Sequence, residues 1–191
     1  MAANQIPYIT EEQYLELERK SDVRHEYYRG EMFAMSGGTG DHSFLAAELI
    51  SELRFALRGS CRVATSDLKI YVPSTGLYTY PDISVTCEKP SYLDKSNDTL
   101  LNPLVVVEVL SPSSGSYDRG EKFRQYQTVP SIKTYILVSC DRMRIETYTR
   151  GTGATWIYRA YDGADAVLEI EEPAVSIPLQ SIYRSVEFPQ P

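Results

Sequence analysis

A chain of 191 residues with a formal net charge of −7 is long enough to bury one substantial core and too acidic to coat nucleic acid through bulk electrostatics, which leaves only a local basic groove for such a role. No run approaches the roughly 18 apolar residues of a membrane span, and the opening Met1-Ala2-Ala3-Asn4-Gln5-Ile6-Pro7 lacks the basic and apolar regions of a secretory signal. Cys61, Cys87 and Cys140 are odd in number, widely spaced and free of any CxxC pair, so they are expected to be reduced core residues of a cytoplasmic protein that does not engage a membrane.

Thr10-Glu11-Glu12-Gln13 has capping-box spacing and predicts a short surface helix through Tyr14, Leu15 and Leu17. Arg24 to Met35 reads as a hairpin turning at Arg29-Gly30, with Glu26 as an ordinary cross-strand partner. Ser36 to Asp41 is glycine-rich but has no following Lys-Ser/Thr, so it is read as a flexible lead-in to a helix and not as a phosphate loop. Asp41 is the expected cap of a helix from His42 to Leu57, with Ala46, Ile50, Leu53 and Leu57 forming its apolar stripe. Arg54, Arg58 and Arg62 suit the negative end of that helix. His42, in its first turn, is either a structural hydrogen-bonder or an accessory to a site.

Arg62 to Val72 alternates as one strand, and Pro73 to Gly76 turns the chain into Tyr80-Pro81-Asp82-Ile83-Ser84-Val85. There Tyr80, Asp82 and Ser84 share the more polar face, which aims Asp82 at a cleft. Glu88 to Pro103 is read as a loop bordering a binding site, its charges solvated. The next strand, Leu104 to Leu110, is apolar except for Glu108, which shares a face with Leu104, Val106 and Leu110. An unpaired carboxylate there would cost on the order of 2 to 7 kcal/mol, so something must compensate it, and a divalent cation shared with Asp82 is the sharpest candidate.

Ser111 to Ser116 breaks the chain before a helix that ends near Val129-Pro130. Within it Asp118 and Lys122 have the spacing of a simple helical pair, and Phe123 with Tyr126 form a stripe whose docking holds Lys122 near the groove. The remainder is strand-rich: Lys133 to Ser139, Met143 to Thr149, Thr155 to Tyr161, and a hairpin starting at Asp162-Gly163 toward Val167 to Ile170. Trp156 and the tyrosines are read as packing.

The order helix, strand, Pro-Asp strand, Glu strand, helix, strand resembles the PD-(D/E)XK restriction-endonuclease-like fold. Tyr80-Pro81-Asp82, Val107-Glu108-Val109-Leu110-Ser111-Pro112-Ser113 and Tyr117-Asp118-Arg119-Gly120-Glu121-Lys122 resemble, more closely, the bacterial putative restriction endonuclease family, formerly a domain of unknown function. The resemblance implies an α/β (α+β) fold, with a mixed central sheet flanked by helices and extra β-hairpins toward both termini. It implies one nuclease-like domain over 1–191, its core approximately 41–140. It further implies a metal-dependent endonuclease hydrolysing DNA, with Asp82, Glu108 and Lys122 catalytic and Asp82, Glu108 and the Val109 carbonyl holding Mg²⁺ or Mn²⁺. His42 would be accessory, Arg119 and Arg124 would contact phosphate, and a homodimer would address two strands. The general motif places its lysine two residues after the glutamate, where this chain has Leu110; Lys122 on the next helix takes that part by resemblance. Two other readings compete. One is a nuclease fold without turnover that binds nucleic acid or protein, and the other a buried Glu108–Lys122 pair in a structural domain.

Overall fold

In the computed structural model, residues 8–111 and 114–188 are described. The opening Met1 to Pro7 and the Pro112-Ser113 part of the predicted break lie outside them. The capping box forms as expected and starts α1 (Glu11–Glu18), but the helix is not simply superficial. Tyr14 is wholly buried, stacked on Tyr27 and tilted against Tyr78 in a small aromatic core.

The hairpin β1 (His25–Tyr28) and β2 (Glu31–Ala34) turns where predicted, with Arg29 and Gly30 both at positive φ. Helix α2 (Gly40–Leu57) begins two residues earlier than expected, because Thr39 rather than Asp41 caps it, accepting from the His42 N–H. Its fully buried stripe is Leu45, Leu49, Leu53 and Leu57, with Ala46 and Ile50 only at the margin.

Arg62 to Val72 is not one strand. It divides into β3 (Arg62–Thr65) and β4 (Lys69–Val72), which belong to different sheets, although the alternation runs unbroken through the turn between them. The chain continues through β5 (Leu77–Thr79), β6 (Ile83–Thr86), the short β7 (Thr99–Leu100) and β8 (Val105–Leu110). A five-stranded sheet runs β2-β1-β5-β4-β7. After β8 comes a broken helix: α3 (Gly115–Tyr117), a π-helical turn (Asp118–Lys122) and α4 (Phe123–Tyr126).

Strands β9 (Thr134–Ser139), β10 (Arg144–Arg150) and β11 (Trp156–Asp162) complete a six-stranded mixed sheet, β11-β10-β9-β8-β6-β3. In it β8 pairs antiparallel with β6 and parallel with β9, the broken helix making the crossover. The final hairpin forms between β12 (Val167–Ile170) and β13 (Val175–Pro178), not across Asp162-Gly163. A last turn of helix, α5 (Leu179–Ile182), packs beside α2. This is the mixed sheet with flanking helices and added hairpins that the sequence predicts.

Two further expectations are corrected. Cys61 and Cys87 form a disulfide, because β3 and β6 pair Arg62 with Thr86 and the next step of that register sets the cysteines opposite each other. Cysteine usage therefore gives no argument for a reducing compartment; Cys140 is free. In the 88–103 segment Lys89 and Lys95 are exposed as expected, but Asp94 and Asp98 are paired, with Arg19 at 2.6 and 2.9 Å, and the segment lines none of the cleft described below. Among the described residues no helix is long and apolar enough to cross a membrane.

Candidate active site

The two sheets meet where the chain passes from β5 to β6 through Tyr80-Pro81-Asp82. The β6–β8 register pairs Ile83 with Val107, so one further step places Asp82 opposite Glu108 on the face they share with Ser84 and Val106. The Val109 N–H donates to Asp82 Oδ2 at 2.7 Å, which pins that carboxylate against the end of β8. His42, from the first turn of α2, brings Nε2 to 3.3 Å from the same oxygen. Its hydrogen bond to Asp82 raises the imidazole pKa above the ordinary value despite burial, with the Asp82 charge and the Val109 backbone assisting.

Glu108 is 4% exposed and Lys122 6%. Lys122 Nζ lies 2.9 Å from Glu108 Oε1, 3.3 Å from Glu26 Oε1 and 3.8 Å from Asp118 Oδ1. The lysine position that Leu110 leaves unfilled on the strand is thus supplied in space from the π-helical turn, while Leu110 itself packs in the core with Tyr126 and Tyr135. The Phe123–Tyr126 stripe docks as predicted, Tyr126 fully buried and donating its hydroxyl to Glu108 Oε1 at 3.0 Å. Burial, with the charges of Asp82 and Asp118, pushes the Glu108 carboxyl well up, and Lys122 opposes it. Burial alone would depress Lys122, but Glu108, Glu26 and Asp118 outweigh it and hold the ammonium protonated.

Glu26 is the residue that sequence reasoning missed. Tyr27 pairs with Tyr78 across β1 and β5, so Glu26 adjoins Thr79, whose hydroxyl donates to Glu26 Oε1 and turns the carboxylate toward Lys122. Its strand neighbours gave no signal, because its functional partner lies on a helix far along the chain. These groups line one cleft of about 440 Å³, roofed on one side by the glycine-rich Ser36 to Thr39 segment. Arg119 and Arg124 do not line it: Arg119 is bound to Glu146 at 2.6 Å, and the exposed Arg124 pairs with Glu121.

The donor chemistry suits a hard divalent cation. The contacts of the two strand carboxylates fall on one oxygen each, so Asp82 Oδ1 and Glu108 Oε2 carry no hydrogen bond among the described residues. No ready cage of three or more His, Cys, Asp or Glu side chains exists among the described residues. Mg²⁺ does not require one, since it is typically held by one or two carboxylates with water and phosphate completing the shell.

A mixed sheet with two facing strand carboxylates and a lysine from the crossover helix defines a restriction-endonuclease-like fold. The chain belongs to the Uma2 family, described as "Putative restriction endonuclease", whose model matches residues 11–180. It is 38% identical over 183 residues to an uncharacterized protein of Synechocystis sp., covering 95% of each chain, and 28% identical over 162 residues to a second from the same organism, covering 84% of this chain and 92% of that one. The crystal structure of a putative nuclease belonging to DUF820 from Anabaena variabilis superposes with a TM-score of 0.75 at 19% identity, covering 92% of this chain and 98% of that chain. At that identity the likeness concerns the fold alone.

Proposed function

We propose that this protein is a metal-dependent endonuclease that hydrolyses phosphodiester bonds in DNA. The observation that carries the reading is the charge balance of the cleft: four carboxylates, from Glu26, Asp82, Glu108 and Asp118, face one ammonium and one imidazole. A structural ion pair needs only one acid for Lys122. The surplus acids at this depth are stable together when a cation joins them.

Asp82 and Glu108 would hold Mg²⁺ or Mn²⁺ through their unengaged oxygens, with the Val109 carbonyl a further ligand. The bound ion supplies Lewis-acid polarisation of a phosphoryl oxygen and a water more acidic than bulk. Lys122, protonated, counters negative charge on the reacting phosphate and orients the attacking water, while Glu26 and Asp118 fix its position. His42 steadies Asp82. Arg119 and Arg124 are left with contacts to strand positions outside the cleft.

The second reading, a module that binds without turnover, draws on Glu108 Oε1, which already accepts from both Lys122 and Tyr126. Plasmid nicking separates the two. With Mn²⁺ the wild type is expected to nick and Lys122→Ala is not, whereas intact plasmid across metals and pH values favours the binding module. Mn²⁺ at 100 times Kd should also stabilise the wild type by about 2.7 kcal/mol. Asp82→Ala should lose that gain, and an equal rise in melting temperature for both proteins removes Asp82 as a ligand.

A further inference from the structure

Of the large apolar side chains exposed among the described residues, Phe33 and Tyr117 alone line this cleft. Phe33 is 48% exposed and Tyr117 38%. Phe33 pairs directly with Glu26 across the β1–β2 ladder, so its ring stands on the cleft face beside the carboxylate that holds Lys122. Tyr117 lines the same cleft from the end of α3, immediately before the π-helical turn that carries Lys122. Burial, with the Glu26 carboxylate next, pushes its phenol up to about 12. Among the described residues its hydroxyl has no hydrogen bond, and the two rings do not touch each other. Both rings are thus exposed in the same cleft.

The charges argue in the same direction. A duplex is gripped mainly through phosphate contacts from lysine and arginine. Lys122 is the only such side chain lining this cleft among the described residues, and three carboxylates hold it. Of the guanidinium groups nearby, Arg119 pairs with Glu146 and Arg24 with Asp67, while the exposed Arg142 lines an adjoining hollow and not this cleft. The reacting groups also lie at the cleft floor, where Asp118 is 3% exposed and Glu108 4%. A phosphate must descend to reach them, which a bending single strand does more readily than a stacked duplex. With one lysine inside the cleft and arginines only beyond it, stacking of bases on aromatic rings adds the affinity that unpaired strands draw from such platforms.

We infer that the cleft takes an unpaired DNA strand, one base beside the scissile phosphate resting between Phe33 and Tyr117. This deepens the nuclease reading and rests on it for the position of the phosphate. Fluorescence anisotropy with a labelled unpaired oligonucleotide and with the same sequence as a duplex tests it, using the wild type, Phe33→Ala, Phe33→Tyr and Tyr117→Ala in Ca²⁺. The unpaired probe should bind at least tenfold more tightly than the duplex. Each alanine variant should weaken it by roughly 5- to 100-fold, and Phe33→Tyr should keep near wild-type affinity. Equal or tighter duplex binding, or alanine effects below twofold, overturns the inference. Mn²⁺-dependent nicking measured in parallel separates the two claims. Duplex cleavage indifferent to both rings removes the stacking site and keeps the nuclease, whereas ring-dependent strand binding without cleavage of any DNA does the reverse.

Discussion

On the face of β8 that meets α2, Val105, Val107 and Val109 lie in a wholly apolar core with Leu45, Leu49 and Leu53, whereas the opposite face sets Glu108 between Val106 and Leu110. Burial is nearly the same on both sides, at 0% for Val107 and 4% for Glu108. The difference lies in what each buried group demands. A valine needs only volume filled by neighbours, and any apolar stripe of suitable shape provides it. A carboxylate needs partners of particular charge at particular distances, and so it recruits Lys122 from the crossover helix, Tyr126 one turn later, and through Lys122 the Glu26 carboxylate of another sheet. One strand thus shows how a fold is held together on one face and how a buried charged cluster is assembled on the other.

The largest expected effect breaks the charged face. Lys122→Met leaves Glu108, Asp118 and Glu26 without their ammonium and should destabilise by about 3 to 5 kcal/mol in urea unfolding. The loss should shrink in acid. A carboxyl whose folded pKa lies above its unfolded value of about 4.3 favours the native state below that value and costs stability as pH rises through the folded one. Glu108, raised by burial and no longer opposed by Lys122, will follow that course.

Leu49→Ala breaks the apolar face instead, at about 2 to 5 kcal/mol. Its cost should be independent of pH between about 4 and 8, because Tyr183 and Cys140, which pack with that core, are raised by burial and stay neutral over that range, and the Mn²⁺ effect on melting temperature should survive it. A pH-dependent Leu49→Ala, or a pH-independent Lys122→Met, would erase the contrast between the two faces. Smaller still, Glu26→Gln should lower nicking by roughly tenfold while leaving Mn²⁺ stabilisation in place, since it positions Lys122 without holding the metal.

The smallest effect lies far from the cleft, at Asp98. Burial raises its carboxyl, but hydrogen bonds from Arg19 and Thr99 and the charge of Lys69 hold it down at about 2. Its contribution is present above the unfolded value of about 3.9 and disappears as pH falls through about 2. The difference in melting temperature between wild type and Asp98→Asn should therefore close over that interval.

Where the chain placed charge inside apolar strand pattern, the site was legible. Glu108 stood out because period-2 alternation put a carboxylate where hydrocarbon belonged, Asp82 because its strand's polar face aimed it at a cleft, and Lys122 through the family resemblance, with the Phe123 and Tyr126 stripe fixing the face beside it. Glu26 was not legible, because its hairpin neighbours are unremarkable and its partners come from β5 and the crossover helix. The Arg62–Val72 alternation misled because period 2 says nothing about which sheet a strand joins, and the turn at Ser66 to Leu68 keeps the same rhythm. The Cys61–Cys87 bond depended on a register between β3 and β6 that no spacing in the chain encodes.

By itself, then, the order of residues determined which segments bury apolar surface, which termini are capped, and which carboxylates needed a compensating partner, because those properties depend on neighbours within a few positions. Only the tertiary structure decided that Glu26, Lys122 and His42 meet Asp82 and Glu108 in one cleft, and that Phe33 and Tyr117 stand at its mouth. Electrostatic energy depends on distance through space, and sheet pairing together with the crossover helix sets those distances among residues that the chain keeps far apart.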